Sequence, residues 1–315
     1  MTVFISLASY CDPLLHFTLQ RALATAADPA SLHFAVVDQS PESVRQPLPQ
    51  ELAPARLSYL RIDPVYARGP CWARALAMTL YDGEDWFFQI DSHMEFEDGW
   101  DQRLIAQASE LLPGRKGVVL SAYPNPFVFQ DGQIVRQVCT DKVLAHVVKP
   151  GAAFDPDHPV LAFEAHPVDV DWPVPGFHLG AGCLFGPGRL VTEFPYDPGF
   201  YFHGEEQAFA LRLFTHGWDI FHMPGLPIYH LYNFAGSGAP SRPLHWDAAH
   251  DAGRNEKWWS LEQRSRARLA ALAAGQLEGV FGLGAQRTVT DYARFCGIDY
   301  EGRTLSPQAY RPLPV

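Results

Sequence analysis

The most informative segment of the chain is DWFFQIDSHMEF, Asp85–Phe96. Its large apolar residues form a run that is too short for a helix, which predicts a strand buried on both faces. The run ends abruptly in Asp91, Ser92 and His93. In an open parallel sheet the carboxyl ends of the strands face the ligand crevice, and residues two apart on an extended strand project to the same side. We therefore predict that Asp91 and His93 bind a divalent cation in a D-x-H motif.

The length and charge of the chain restrict its possible functions. With 315 residues it can form one large α/β domain or two smaller ones with an ample core. The net charge of -11 disfavours general binding to nucleic acid or to an acidic membrane, and no run of Lys or Arg makes a basic patch. We therefore expect no nucleic-acid partner.

The cysteines and the N-terminus indicate the compartment. The five cysteines are widely spaced and include no C-x-x-C pair, which favours neither a disulfide framework nor a zinc cluster. The N-terminus has no positively charged leader, and no apolar segment approaches the ~20 residues of a spanning helix. We predict a soluble cytoplasmic protein without a membrane span.

The chain changes character twice. Residues 1–123 alternate apolar strands with helices, which is typical of a parallel, nucleotide-binding sheet. Within them, the Pro-rich piece Pro41–Pro54 predicts a loop or broken helix. From Pro124 to Pro175 the chain is rich in Pro, Phe and His, which predicts antiparallel strands and long loops. A small-residue strand at Phe177–Gly186 follows, and then a helix that Phe202–Glu206 opens and that ends near His216. Residues 236–315 predict a helical extension.

Three patches of sequence, in order, resemble a known pattern. They are Arg68–Arg74 with Asp91–Trp100, then Gly180–Phe185, then His203–Arg212 with Tyr229–Tyr232. Together they resemble metal-dependent, retaining GT-A glycosyltransferases that attach N-acetylhexosamine to polypeptide hydroxyls. The resemblance is strongest to the cytoplasmic N-acetylglucosaminyltransferases that modify hydroxyproline on a ubiquitin-ligase adaptor in protists, and more distant to the mucin-type N-acetylgalactosaminyltransferases.

This resemblance implies a fold and a division of the chain. The fold is α/β of the GT-A (nucleotide-diphospho-sugar transferase) type, with a Rossmann-like mixed sheet, helices on both faces and a helical C-terminal tail. Residues 1–235 form the glycosyltransferase domain, in which 1–123 is the nucleotide-binding half and 124–235 is the acceptor and donor-sugar half. Residues 236–315 are the helical extension.

The resemblance also implies a metal centre. Asp91, His93 and His230 correspond to the ligands of the metal, Mn²⁺ or Mg²⁺, that bridges the diphosphate of a UDP-sugar. Such a cation stabilises the charge that develops on the leaving diphosphate. His203 and His222 are rival third ligands. The ordinary alternative is that His93 and His230 are hydrogen-bonded core histidines.

The donor-binding residues follow from the same resemblance. Ser9, Tyr10 and Asp12, at the end of the first strand, correspond to contacts with uracil and ribose. Arg68 or Arg74 corresponds to a contact with the ribose-diphosphate region. The alternative for Arg74 is a surface salt bridge.

Four further residues are implied nearer the reacting sugar. Gly182 and Cys183 correspond to positions beside the donor sugar, although Cys183 is most simply a small buried residue. Glu205 and Glu206 correspond to catalytic residues that contact sugar hydroxyls or the acceptor. Their alternative is helix capping, because carboxylates in a first turn favourably meet the helix dipole.

The pattern departs from the mucin-type enzymes at the sugar. Those enzymes have a Trp-Gly-Gly-Glu-Asn run where this chain has Phe202–Glu206, and a second Gly where it has Cys183. The hexosamine is therefore not inferred from them. An adjacent aromatic pair, Trp258 and Trp259, is either an acceptor platform or helix packing.

The predicted function is transfer of a sugar, GlcNAc from UDP-GlcNAc, to a hydroxyl of a peptide Ser, Thr or hydroxyproline. The alternatives are a glycosyltransferase with a glycan or small-molecule acceptor and a non-catalytic nucleotide-sugar binding protein. Nucleotidyl transfer onto sugar phosphates predicts a Gly-rich loop after the first strand, whereas this chain has Ser9–Asp12 there. A retained anomeric configuration rests on the resemblance alone, since no carboxylate nucleophile is identifiable and a front-face attack is equally compatible.

Overall fold

The computed structural model describes residues 1–42, 52–233 and 236–314, so most of the predicted loop Pro41–Pro54 lies outside the described residues. The strands, numbered in chain order, are β1 (Val3–Ser9), β2 (Leu32–Asp38), β3 (Arg56–Arg61), β4 (Trp86–Ile90), β5 (Met94–Phe96), β6 (Val118–Ser121), β7 (Asn125–Gln130), β8 (Gln133–Arg136), β9 (Val143–Val148), β10 (Phe163–Val168), β11 (Val174–Gly176), β12 (Cys183–Pro187), β13 (Asp219–His222), β14 (Ile228–His230), β15 (Ile298–Asp299) and β16 (Thr304–Leu305). The α-helices are α1 (Leu15–Thr25), α2 (Pro70–Met78), α3 (Trp100–Leu111), α4 (Leu190–Glu193), α5 (Glu205–Thr215), α6 (Ala248–Asp251), α7 (Trp258–Ala273) and α8 (Val289–Cys296).

The main sheet has eight strands in the order β11-β13-β6-β12-β4-β1-β2-β3. β1 pairs in parallel with β2 and β4, and β2 pairs in parallel with β3. β12 runs antiparallel between β4 and β6, which makes the sheet mixed. All five residues of β4 are buried, because the strand lies in the middle of the sheet and is covered on both faces. The predicted α/β class with a Rossmann-like mixed sheet is confirmed.

Helices cover both faces of this sheet, as predicted. Ile5 of β1 packs in one core cluster with Leu19 of α1. Its neighbour Phe4 packs in the other with Cys71 of α2 and Phe209 of α5. Successive residues of a strand point to opposite faces, so each strand supplies both cores.

A smaller sheet, in the order β5-β14-β7-β8, brings a distant part of the chain to the end of β4. β14 runs antiparallel to β5, with His230 opposite Met94. The backbone N–H of Leu231 donates to the carbonyl oxygen of His93 at 3.1 Å. This register brings His230 beside His93, although 137 positions separate them in sequence.

The residues after 236 supply mainly helices, as predicted for the C-terminal tail. Leu269 and Leu272 of α7 join the core cluster that contains Phe209, and Tyr292 of α8 packs with Phe214 of α5. The domain boundaries at 123/124 and 235/236 stay predictions. Within the part of the chain that the structure describes, every helix is too short or too polar to cross a membrane.

Candidate active site

A cavity of about 470 Å³ opens beside the segments that follow β1 and β4. This position agrees with the rule that ligands bind at the carboxyl ends of the strands of an α/β sheet. Most of the predicted site residues line the cavity, namely Tyr10, Asp12, Arg74, Asp91, His93, Gly182, Glu205, Glu206 and His230.

Three predicted residues do not line this cavity. Ser9 is fully buried within β1, and Cys183, the first residue of β12, is buried in the core, as its small size suggests. Arg68 has an exposed side chain, and its Nε lies 3.3 Å from a carboxylate oxygen of Glu256. The donor-binding roles of these three residues stay predictions.

The D-x-H side chains converge because the chain bends. β4 ends at Ile90, and Asp91–His93 forms a bend before β5 instead of extending the strand. The Nε2 atom of His230 lies 3.3 Å from Oδ2 of Asp91 and 2.9 Å from Nε2 of His93. One ligand atom from each of the three residues lies within 4.8 Å of the other two. The predicted metal ligands therefore form one cluster.

Asp12 lies behind this cluster and orients His93. Its Oδ2 atom is 2.6 Å from Nδ1 of His93 and accepts from the hydroxyl of Ser92 at 2.8 Å. Its Oδ1 accepts from the backbone N–H of Leu14 at 2.9 Å. Burial opposes ionisation of Asp12, but the interaction with His93 and the hydrogen bonds from Leu14 and Ser92 together outweigh it and lower the pKa of the carboxyl. A proton on Nδ1 leaves the Nε2 lone pair of His93 free for a metal.

Arg74 connects Asp91 to Glu205 inside the protein. Its Nη2 donates to Oδ1 of Asp91 at 3.0 Å, and its Nη1 donates to Glu205 at 2.9 Å. The side chain is 6% exposed, so the alternative of a surface salt bridge is wrong. Burial opposes ionisation of Asp91, but the hydrogen bond from His230 and the charge of Arg74 hold its pKa below the usual value. His230 and Arg74 together therefore favour the anionic form of Asp91.

Glu205 and Glu206 have different environments. The carboxylate of Glu205 also accepts from Tyr196 Oη and Cys71 Sγ, both at 2.8 Å, and burial raises its pKa. Glu206 lines the cavity and accepts from the hydroxyl of Tyr123 at 3.0 Å. The helix α5 begins after Gly204 without a side-chain cap, so neither carboxylate caps it by hydrogen bonding.

Glu206 also fixes the turn beneath the metal cluster. Its Oε1 accepts from the backbone N–H of Ala181 at 2.7 Å. The predicted strand Phe177–Gly186 is shorter than expected, because Gly180 and Cys183 close a turn and β12 begins only at Cys183. A Cβ atom on Gly182 would lie 2.4 Å from Oδ2 of Asp91. The turn therefore approaches Asp91 as closely as glycine permits.

The two rival histidines have other partners. His203 lines the cavity, but its Nδ1 is 2.8 Å from Oε1 of Glu262. His222 is fully buried, and its Nδ1 is 2.7 Å from the carbonyl oxygen of Ser121. Of the residues described, only Asp91, His93 and His230 form a group that could hold a metal ion.

Two polar residues at the site were not predicted. Arg242 donates from Nη2 to the carbonyl oxygen of Leu231 at 2.9 Å, while its buried Nη1 has no hydrogen-bond partner among the described residues. Asp38 ends β2 and lines an adjoining cavity of about 420 Å³, where its buried Oδ1 is also without a hydrogen bond. The position of Asp38 at a strand end was a usable signal, whereas no motif marks Arg242.

Comparisons with known proteins identify the family of the chain. Residues 43–280 match the family model described as Glycosyltransferase (GlcNAc). No curated protein matches the sequence. The structure of GalNAc-T7 with UDP, GalNAc and Mn²⁺ is similar, with a TM-score of 0.61 and 15% identity over 86% of this chain and 48% of that one. The structure of residues 1–349 of S. aureus TarS with UDP-GlcNAc has a TM-score of 0.44 and 14% identity over 87% of this chain and 73% of that one.

The structural likeness establishes the fold, and the family model establishes the family. The likeness to GalNAc-T7 confirms the predicted GT-A fold, and this chain spans about half the length of that protein. The family model covers most of the chain, including every residue of the metal cluster and of the α5 helix. The chain therefore belongs to the GlcNAc glycosyltransferase family.

Proposed function

We propose that the protein transfers GlcNAc from UDP-GlcNAc to a hydroxyl group in a metal-dependent reaction. The observation that carries this proposal is the cluster of Asp91, His93 and His230 on the wall of a 470 Å³ cavity, in a chain of this family. The UDP, GalNAc and Mn²⁺ in the structure of GalNAc-T7 support a nucleotide-sugar donor and a divalent cation.

The residues of the cluster suit Mn²⁺ or Mg²⁺. Asp91 supplies a hard carboxylate oxygen that Arg74 keeps ionised, and His93 and His230 supply imidazole nitrogens, a mixture that favours Mn²⁺ over Ca²⁺. The buried Nδ1 of His230 has no hydrogen-bond partner among the described residues. When bound, the metal supplies positive charge at the diphosphate as the leaving group departs.

The donor binds across the two adjoining cavities in this proposal. The diphosphate lies between the metal cluster and Arg242, whose Nη1 makes no hydrogen bond within the described residues and is a charge-assisted donor for a phosphate oxygen. The nucleoside lies toward Asp38, where the unpaired Oδ1 can accept from a ribose hydroxyl or a base N–H. Of the residues predicted to bind the nucleoside, Tyr10 lines the larger cavity and Asp12 lines both.

The two glutamates have separate roles in this proposal. Glu205 positions Arg74, because its carboxylate is occupied by protein donors. Glu206 borders the donor sugar, since its side chain is 28% exposed and lines the cavity. We propose a retained anomeric configuration, either through a carboxylate nucleophile or through front-face attack in which the departing phosphate takes the acceptor proton.

The acceptor in this proposal is a peptide Ser, Thr or hydroxyproline. A glycosyltransferase with a glycan or small-molecule acceptor is the alternative. A cytoplasmic location is supported by the five cysteines, all of which lie in the described part of the chain and are unpaired.

Donor hydrolysis tests the proposal. Release of UDP is measured from UDP-GlcNAc, UDP-GalNAc and UDP-Glc, each with and without Mn²⁺. We expect Mn²⁺-stimulated release that is fastest with UDP-GlcNAc. No release from any donor, together with no rise in Tm on adding UDP and Mn²⁺, would refute the enzyme proposal.

A further inference from the structure

The strand β10 has an open edge beside the candidate active site. It pairs with β9 in a two-stranded sheet, and no strand of the described residues pairs with its other edge. The residues on that edge are half-buried or exposed. Such an edge presents unpaired backbone N–H and C=O groups that another chain can bind.

The register identifies which backbone groups point outward. The N–H of Lys149 donates to the carbonyl oxygen of Ala162 at 2.9 Å, which makes Ala162 and Lys149 a hydrogen-bonded pair. In an antiparallel pair the hydrogen-bonded positions alternate, so Glu164 and His166 bond to β9. Phe163 and Ala165 therefore direct their backbone N–H and C=O groups away from β9.

Pro167 supports this assignment. It occupies the next outward position after Ala165, where proline has no inward hydrogen bond to lose. Its missing N–H also ends the open edge after a few residues, which limits uncontrolled pairing with other strands.

The edge starts at the wall of the cavity. Leu161 and Phe163 line the cavity together with Asp91 and His230. The ring of Phe163 stacks on His178, another lining residue, with ring centroids 3.5 Å apart. A chain that lies along this edge therefore reaches the wall of the cavity that also contains Asp91 and His230.

We propose that the acceptor is an extended polypeptide that adds a strand to β10 and pairs with the backbone of Phe163 and Ala165. This inference rests on the proposed function and specifies how its acceptor is recognised. Backbone pairing requires a regular array of peptide groups, which a glycan does not have. The side chains of the added strand alternate, so one of them carries its hydroxyl toward the cavity.

Substituting Ala165 by proline tests the pairing. Ala165→Pro removes only an outward N–H and keeps the strand conformation, as Pro167 already does two residues later. The matched control Ala165→Ser keeps the N–H. The probe is a pool of short peptides that contain Ser, Thr or hydroxyproline, with incorporated GlcNAc measured by mass. We expect Ala165→Pro to raise the peptide KM about tenfold, the effect of one lost backbone hydrogen bond, while UDP-GlcNAc hydrolysis and the Ala165→Ser variant match the wild type.

A second measurement does not depend on the variant folding. The wild-type protein is assayed with a series of peptides, each methylated at one backbone nitrogen. The methylated position moves one residue at a time along both sides of the glycosylated residue, and unmodified peptides serve as the reference. We expect methylation at alternate positions to raise KM and methylation at the intervening positions to have little effect.

The outcomes separate this inference from the proposed function. Equal peptide KM values for Ala165→Pro and Ala165→Ser, or UDP-GlcNAc hydrolysis without glycosylation of any peptide, would overturn the inference and leave the transferase intact. If the wild type is a dimer and Ala165→Pro is a monomer, a second copy of the chain pairs with this edge. That result would overturn the inference. Failure of donor hydrolysis would remove the proposed function and the inference with it.

Discussion

The Nδ1 atom of His93 lies 2.6 Å from Oδ2 of Asp12, and this contact directs the opposite ring nitrogen of His93 toward Asp91 and His230. Carboxylates that bind a ligand histidine in this way fix its tautomer and raise its basicity. The resemblance implies that Asp12 contacts the nucleoside. Its contact with His93 indicates a second role, which is to orient a predicted metal ligand.

Asp12→Asn tests that second role. The amide keeps the shape of the side chain but removes the negative charge opposite Nδ1, so we expect the affinity for Mn²⁺ to fall about 10–100-fold. The measurement is the Mn²⁺ concentration that half-activates UDP-GlcNAc hydrolysis. Ser92→Ala, which removes a different hydrogen bond to Asp12, is the control and is expected to have a smaller effect. An unchanged Mn²⁺ dependence in Asp12→Asn would exclude the role.

The metal cluster itself is tested by Asp91→Asn and His230→Ala. His230→Ala removes one of the three ligand atoms, and Asp91→Asn replaces the anionic carboxylate by a neutral amide, so we expect each to abolish Mn²⁺-stimulated hydrolysis. Far-ultraviolet circular dichroism checks that the variants are folded. Hydrolysis at the wild-type rate in either folded variant would show that these residues are hydrogen-bonded core groups.

Arg242 is expected to act on the donor and not on the metal. Its Nη1 lies 3.8 Å from Oδ2 of Asp12 without a hydrogen bond, so it is available to a phosphate oxygen. Arg242→Met should raise the KM for UDP-GlcNAc about 10–100-fold, the range of a lost charge-assisted hydrogen bond, and Arg242→Lys should restore part of the loss. The KM is measured at saturating Mn²⁺. A KM equal to that of the wild type in Arg242→Met would contradict the assignment.

The sequence predicted the elements of the fold well and the details of the site only in part. The apolar run before Asp91 predicted the central strand β4, because burial on both faces requires such a run. The resemblance, and not any periodicity, connected His230 with Asp91, since their proximity depends on the pairing of β14 with β5. Neither the bend at Asp91–His93 nor the turn at Gly180 followed from strand patterns.

The remaining site residues depend on contacts that sequence spacing does not contain. Arg74 was predicted at the donor, but its ion pairs connect α2 with the residue after β4, Asp91, and with the first residue of α5, Glu205, which are distant from it in sequence. Arg242 reaches the cavity from a segment without a motif. Arg68 resembles a donor ligand by position, yet its exposed side chain pairs with Glu256.

Acid is expected to destabilise the protein through buried histidines away from the metal cluster. Burial lowers the pKa of His222 to about 4, and it also lowers the pKa of the neighbouring His146. The unfolded chain therefore binds protons below a pH of about 6.5 that the folded chain excludes, so the free energy of unfolding falls as the pH falls. For His222 alone the loss at pH 5 is about 2 kcal/mol.

Urea unfolding at pH 7 and pH 5 measures this loss. His222→Gln removes one of the titrating groups and should reduce the difference between the two pH values, even if it lowers stability at both. A difference as large in His222→Gln as in the wild type would assign the effect to other groups.

Gly182 is expected to be essential because of its distance from Asp91. A methyl group there would lie 2.4 Å from Oδ2 of Asp91, which is closer than any real contact, so the carboxylate or the turn must shift and the spacing of the three predicted ligands changes. Gly182→Ala should therefore lower Mn²⁺-stimulated hydrolysis at least as much as a lost metal ligand does. In Gly253→Ala the nearest atom is 3.8 Å from the added methyl group, which makes this variant the matched control with unchanged activity. Wild-type hydrolysis in Gly182→Ala would mean that Asp91 can move freely, and that its observed position is not the one that binds the metal.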